Sequence, residues 1–222
     1  MARTKTLANL RTEAYERADV RDSYIPEAEM NRLINASLAE LYDLLVSVNQ
    51  DWYLSSDDIT VVSGTATYAL PADFWRAVGV DYQSSNTWYP MLRFNWAERN
   101  QYQDGATSRS LTRYRVSGGN LRLRPTPDWG GTVRLWYIPA PDTLTLDADT
   151  FDGVAGWEEY AIADVVIKIR SKREEDATLE VAQKKALFAR IKASAATRDS
   201  GNPDRVRDVA AELIGTDLGG WE

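Results

Sequence analysis

Two adjacent carboxylates, Glu158 and Glu159, open the stretch "WEEYAIADVVIKIRSKREE" and raise the question of acid–base chemistry. A catalytic carboxylate pair must bring both groups to one substrate atom. Neighbours on a helix point about 100° apart, so these two diverge, and a solvated helix face is the expectation. "SSDD" (55–58) and "DADTFDG" (147–153) hold the oxygen ligands that calcium prefers. Neither has the alternating acids, central Gly and terminal Glu of an EF-hand loop, so these Asp residues are expected as caps. The chain has no Cys and no His, which removes thiolate chemistry, disulfides and the commonest general base and metal ligand. No phosphate-binding Gly-rich loop, nucleophile elbow or metal-ligand spacing occurs. The sequence therefore offers no catalytic, cofactor-binding or metal residues, and we expect neither an enzyme nor a bound cofactor.

Charge patterning is more informative. "RYRVSGGNLRLRP" (113–125) alternates apolar and polar residues about a Gly118-Gly119 turn, as a β-hairpin does. Its alternate positions are Arg113, Arg115, Arg122 and Arg124. They could form a solvated face that discourages edge pairing, a DNA-facing patch, or partners for carboxylates on a neighbouring subunit. The chain carries a net charge of −7, so no global field attracts nucleic acid or an anionic membrane. An intersubunit or surface role for these four arginines is the stronger reading, because Arg pairs bidentately with the carboxylates that the rest of the chain supplies.

Six of the eight tryptophans (Trp52, Trp75, Trp88, Trp96, Trp129 and Trp136) fall between residues 51 and 142. Aromatics recur in strand pattern, Tyr68 with Leu70 and Trp136 with Ile138, which predicts the filling of a small sandwich core. "TWYP" (87–90) is the candidate exposed patch.

These residues must be positioned by elements whose periods change along the chain. "PEAEMNRLINASLAELYDLLVSVNQ" places Met30, Leu33, Ile34, Leu38, Leu41, Leu45 and Val48 at helical spacing, with Pro26 as its first position. Residues 5–18 predict a shorter helix with Leu7, Leu10, Ala14 and Tyr15 on one face. From Asp51 the period is two: "ITVVSGTATYALP" predicts a hairpin around Ser63-Gly64, and "WRAVGVDY", "TWYPMLR", the arginine hairpin and "TVRLWYIP" predict further strands. "NWAERNQYQ" predicts a short helix. The helical period returns at Trp157, Tyr160, Ala161, Ile162, Val165, Val166 and Ile169, with Asp164 and Lys168 at i, i+4. Asp176 is placed to cap "ATLEVAQKKALFARIKASAAT", whose Leu179, Ala182, Ala186 and Phe188 to Ile191 are expected to face inward. The fold class is α+β. A helical domain from residues 1–50 and 143–198 carries an inserted antiparallel β domain, 51–142, and a tail follows at 199–222. No stretch reaches the apolar length of a membrane span and no leader is evident, so a soluble intracellular protein is expected.

This layout resembles the head-to-tail adaptor (connector) proteins of tailed bacteriophages across roughly residues 25–200. Gly64, Tyr68, Leu70, Pro71, Asp73 and Phe74 match a "G-x-x-x-Y-x-L-P-x-D-F" stretch. Trp157, Glu158, Tyr160 and the Ile169 to Lys172 region match a "W-E-x-Y" helix start with a later lysine. The resemblance implies a virion protein of the neck. It implies a ring of copies, usually twelve, beneath the portal protein, contacting a downstream tail protein and passing DNA with transient, unspecific contact. Another tail-interface protein (a stopper or tail-completion protein) and a glycan-binding β module on a helical stalk are the alternatives. Val206, Val209, Ala210 and Leu213 form one apolar stripe before Gly215, and Trp221 follows Gly219-Gly220. So short a helix needs a surface to dock on. The resemblance points to the portal or a neighbouring subunit for Val206, Val209, Leu213 and Trp221, and the chain's own helices are the alternative.

Overall fold

A computed structural model describes residues 5–21, 24–100 and 109–196. The protein is α+β, with four helices and two antiparallel sheets among these residues. Helix α1 (Leu7–Ala18) buries Leu7, Leu10, Ala14 and Ala18, and Thr6 caps it by accepting from the Asn9 amide. Helix α2 (Glu27–Val48) starts one residue later than its sequence signals indicate. Pro26 has extended ψ and is the N-cap. Its predicted stripe lies inward, with Leu33 and Val48 partly buried, and the apolar face widens to take in Tyr42, Leu44 and Val46.

Helix α3 (Glu158–Lys172) is buried over most of its circumference, because α1, α2 and α4 (Thr178–Ala196) all pack against it. Leu10, Leu41, Ile162, Val165, Ile169 and Ile191 from these four helices share one apolar cluster. Each fully buried Leu or Ile of this kind stabilises the fold by about 1.5–3 kcal/mol before entropy is counted. Asp176 caps α4 as expected, accepting from the Thr178 amide at 3.0 Å.

The inward face predicted for α4 is corrected. Only Ile191 and Ala195 are buried, Leu187 packs against the cluster, and Leu179 and Phe188 are 77% and 41% exposed. Ala182, Ala186 and Ala189 also face outward. The helix has apolar residues on two sides, and α3 and α2 cover the narrower one.

Strands β1 (Ser55–Val61), β7 (Gly131–Pro139), β3 (Phe74–Ser84) and β4 (Thr87–Pro90) form one sheet in the order β1-β7-β3-β4. Strands β2 (Thr67–Ala69), β6 (Asn120–Arg124) and β5 (Arg113–Ser117) form the other, in the order β2-β6-β5. The predicted hairpin around Ser63-Gly64 is therefore corrected: β1 pairs with β7 and β2 with β6, so the chain changes sheets there. The Tyr68 hydroxyl holds that corner, donating to the Thr65 carbonyl at 2.8 Å. Val61, Val80, Val133 and Leu135 of one sheet meet Tyr114, Leu121 and Leu123 of the other in a second apolar cluster. At the far end of β7, Ile138 packs instead on Tyr42 and Val46 of α2. "NWAERNQYQ" contains one 3-10 turn, Trp96–Glu98, and its last three residues lie outside the described residues.

The long segment after β7 is tied down by polar contacts. The Asn35 side-chain amide donates to the Leu144 carbonyl and accepts from its amide, at 3.0 and 2.8 Å, replacing a strand neighbour. Asp149 closes the turn at 145–149 by accepting from the Thr145 and Leu146 amides, each at 2.8 Å, which holds its carboxyl below the usual range. This is the local capping role expected of "DADTFDG". "SSDD" does not cap: Asp57 and Asp58 lie within β1.

Candidate interaction surfaces

The arginine hairpin forms as its spacing predicts. Arg113 pairs across with Arg124 and Arg115 with Arg122, while Tyr114, Leu121 and Leu123 turn into the sandwich core. Gly118 and Gly119 have φ of 59° and 73°, the left-handed pair that a two-residue hairpin turn demands. Strand alternation thus puts four guanidinium groups on the outer face, in register as like-charged pairs. The Arg115 guanidinium donates to the Phe94 carbonyl at 3.2 Å and lies over the Trp96 ring, which also carries Arg99. Arg122 Nε is buried without a hydrogen-bond partner.

The outer face of the other sheet is self-contained. Arg134 donates twice to Asp58, at 2.7 and 2.9 Å, and this hydrogen bonding holds the Asp58 carboxyl below its ordinary range. The same guanidinium stacks 4.2 Å from the Trp88 ring centre, and Trp136 Nε1 donates to Asp81. The "TWYP" patch is accordingly mixed: Tyr89 is exposed, whereas Trp88 lies half-buried under Arg134. The expectation that aromatics in strand pattern fill the sandwich core holds for Tyr68, which packs against the cluster, and is corrected for Trp136. Trp52 and Trp129 pack against the clusters, while Trp75 and Trp96 are exposed and Trp136 lies on the face opposite Leu135 and Tyr137. Tyr114, Tyr137 and Phe74 also fill the sandwich.

Glu158 and Glu159 do diverge, but they do not form a solvated face. Glu158 is fully buried and accepts from the Lys5 amide at 3.0 Å and the Gly156 amide at 2.7 Å. Glu159 takes Lys5 Nζ at 2.8 Å and Arg17 at 2.6 Å. Burial opposes its charge, and those two hydrogen bonds outweigh burial and lower its pKa. Both groups therefore anchor the N-terminal segment to the positive end of α3. Apart from Gly156, the partners lie about 150 positions away in sequence, where local spacing carries no signal.

Asp164 is the buried charge that spacing alone does not reveal as buried. The expected Lys168 pair forms at 2.6 Å, and Lys184 of α4 and the Ser37 hydroxyl also donate to its carboxylate. Burial raises its pKa, but these hydrogen bonds prevail and the carboxyl is held low. Lys184, shared with Glu40, is raised in turn, its burial outweighed by Asp164 and Glu40.

Among the described residues, no cluster of acidic groups could hold a metal ion, and no helix is long and apolar enough to cross a membrane. Val206, Val209, Leu213 and Trp221 lie outside the described residues.

An α+β chain with self-satisfied charges at its buried sites and an arginine-covered sheet face has the character of an assembly component. The family model of the SU10 adaptor protein matches residues 5–207, and the chain belongs to this family of phage head-to-tail adaptors. It is a structural component of the phage particle, in a family that is not an enzyme family. No curated protein matches the chain.

Proposed function

We propose that this protein forms a ring, of twelve copies, beneath the portal protein, and that the ring extends the DNA channel toward a downstream tail protein. The observation that carries this reading is the adaptor-family match across residues 5–207. Val181 and Phe188, seven positions apart on one side of α4, are exposed and support it, because a lone chain leaves them in water. In this reading residues 1–50 and 143–198 form a helical domain from both ends of the chain, with 51–142 as its β insertion. Arg113, Arg115, Arg122 and Arg124 meet a neighbouring subunit. Residues 199–222 are a tail whose Val206, Val209, Leu213 and Trp221 anchor the ring to the portal or a neighbour. The net charge of −7 keeps DNA contact weak and unspecific, as a channel that DNA slides through requires.

Ring contacts are heterologous, and a small angular error yields open chains instead of closed rings. In this reading the free protein is monomeric or weakly associated and closes its ring on the portal. Electron microscopy of the portal protein mixed with this chain tests the reading. A ring density on the portal is expected, and no complex at micromolar concentration would overturn it. Truncation after Thr197 separates the tail's roles: the expected variant melts as the full chain does and no longer joins the portal.

A further inference from the structure

Two sets of charges are left over when the internal ion pairs are drawn. The first is Arg115, Arg122 and Arg124 on the outer face of β5 and β6. Among the described residues, no carboxylate lies within ion-pair distance of Arg115, Arg122 or Arg124, although like charges face one another across the hairpin. Such a face is costly to hold alone and favours an anionic partner.

The second set surrounds a cavity of about 180 Å³ where α2 and the 3-10 turn Gln50–Tyr53 meet the segment after β7. Tyr42, Tyr53 and Phe151 line it together with Asp73, Asp142 and Asp152. The Tyr42 hydroxyl donates to the Pro139 carbonyl and the Tyr53 hydroxyl to the Asp152 carbonyl, each within 2.7 Å, so the two phenols are fixed in place. Their rings lie 4.2 Å apart, centre to centre. Among the described residues, no Lys or Arg pairs with Asp73, Asp142 or Asp152. Burial, followed by the charges of Asp142, Asp43, Asp152 and Asp73, pushes the Tyr42 phenol up to about 12. Aromatic walls with carboxylates among them are the chemistry that receives a guanidinium group: ring faces for stacking and planar acceptors for its N–H fork.

We propose that this cavity receives an arginine from the β5–β6 face of a second copy of the chain, so that the arginine face of one subunit docks on the acidic cavity of the next. The inference rests on the ring reading above and names the surfaces that meet. The two surfaces belong to different elements, so one contact between two copies leaves a free surface of each kind, which lets the contact propagate head-to-tail around a ring. The cavity also answers the hairpin's choice of residue, since a compact ammonium would not stack and fork in the same way.

The chain has no Cys, which makes thiol cross-linking site-specific. Chains carrying Arg122→Cys are mixed with chains carrying Asp142→Cys, assembled on the portal protein, and treated with a short bismaleimide. The expected product is a cross-link between the two kinds of chain. In parallel, Arg115→Glu with Arg122→Glu is expected to cut ring yield about tenfold or more, because like-charge juxtaposition at an interface is strongly unfavourable. Adding Asp142→Arg and Asp152→Arg to the same chain is expected to restore it. Thermal unfolding of each free variant identifies any that misfolds, and the single-Cys pair still reports the contact in that event. Rings without the mixed cross-link, or with cross-links only between identical Arg122→Cys chains, would overturn this inference and leave the ring reading intact. Failure of the unaltered chain to form rings on the portal would overturn both.

Discussion

Asp164 in α3 and Arg122 in β6 are both charged residues on regular elements, and the molecule treats them in opposite ways. Asp164 is buried and takes hydrogen bonds from Lys168, Lys184 and Ser37, drawn from three helices. Arg122 faces another arginine across its hairpin, and its buried Nε has no hydrogen-bond partner. The helical region satisfies its own charges: Glu159 takes Lys5 and Arg17, and Glu158 takes the Lys5 and Gly156 amides. On the β5–β6 face Arg115, Arg122 and Arg124 have no carboxylate within ion-pair distance among the described residues. Charge removal should therefore damage the fold in the first region and spare it in the second.

The largest effect is expected at Asp164. Replacing it with Ala leaves Lys168 and Lys184 sharing only the half-exposed Glu40 and takes the acceptor from the buried Ser37 hydroxyl. Because the two lysines are partly exposed and keep Glu40, the loss falls below that of a fully buried broken pair, at about 2–3 kcal/mol. Chemical denaturation of Asp164→Ala against the parent chain measures this, and a loss below about 1 kcal/mol would show that water already compensates the site.

Acid should act on the same region. Asp164 and Glu159 both have lowered pKa values in the folded state, burial notwithstanding, because of their hydrogen-bonded cations. The stability such groups contribute is complete above the unfolded carboxylate value, about 4, and is lost as pH falls through the folded values. Unfolding free energy should be level from neutral pH down to about 5 and fall below about 4. Asp164→Asn combined with Glu159→Gln should flatten that fall while lowering the neutral plateau. An unchanged acid limb would mean that other carboxylates control it.

How much of this contrast the sequence carries depends on whether the cause is local. The arginine hairpin is legible because its period of two and its Gly118-Gly119 turn lie within thirteen residues. Helices α1, α2 and α3 are legible because their apolar spacing repeats over several turns. Three features escape, each for want of a distant partner. The corner at Ser63-Gly64 looks like a hairpin because nothing nearby says that β1 pairs with β7 and β2 with β6. Glu158 looks solvated because Lys5 joins it only in the folded chain. Helix α4 shows apolar residues on two sides, and periodicity does not say which side α3 covers. The pairing of Asp164 with Lys168 was readable at i, i+4, but its burial came from Ser37 and Lys184.

The hairpin turn gives a smaller effect and tests the β side of the comparison without touching a charge. An added Cβ at Gly119 would meet nothing within 4 Å, so the cost of Gly119→Ala is set by its φ of 73°. A left-handed backbone costs an L-residue about 1–2 kcal/mol. The variant should lose about that much stability, with near-ultraviolet circular dichroism otherwise unchanged. A neutral result would mean the turn relaxes to another type.

The smallest effect on the fold is expected where the charge density is highest. Arg115→Gln with Arg122→Gln removes one cross-strand pair of like charges from β5 and β6. The glutamines keep much of the apolar stem, so packing over the sheet is retained. Relief of repulsion is worth a few tenths of a kcal/mol, and loss of the Arg115 contacts with Trp96 and the Phe94 carbonyl is of similar size and opposite sign. The melting temperature should stay within about two degrees of the parent, since surface changes of this kind fall within about 0.5 kcal/mol. Assembly on the portal should nevertheless weaken, because the face loses two of its four cations. A drop in stability as large as that of Asp164→Ala would erase the distinction between the two regions: the arginines would then be part of the fold, and no neighbour would be needed to explain them.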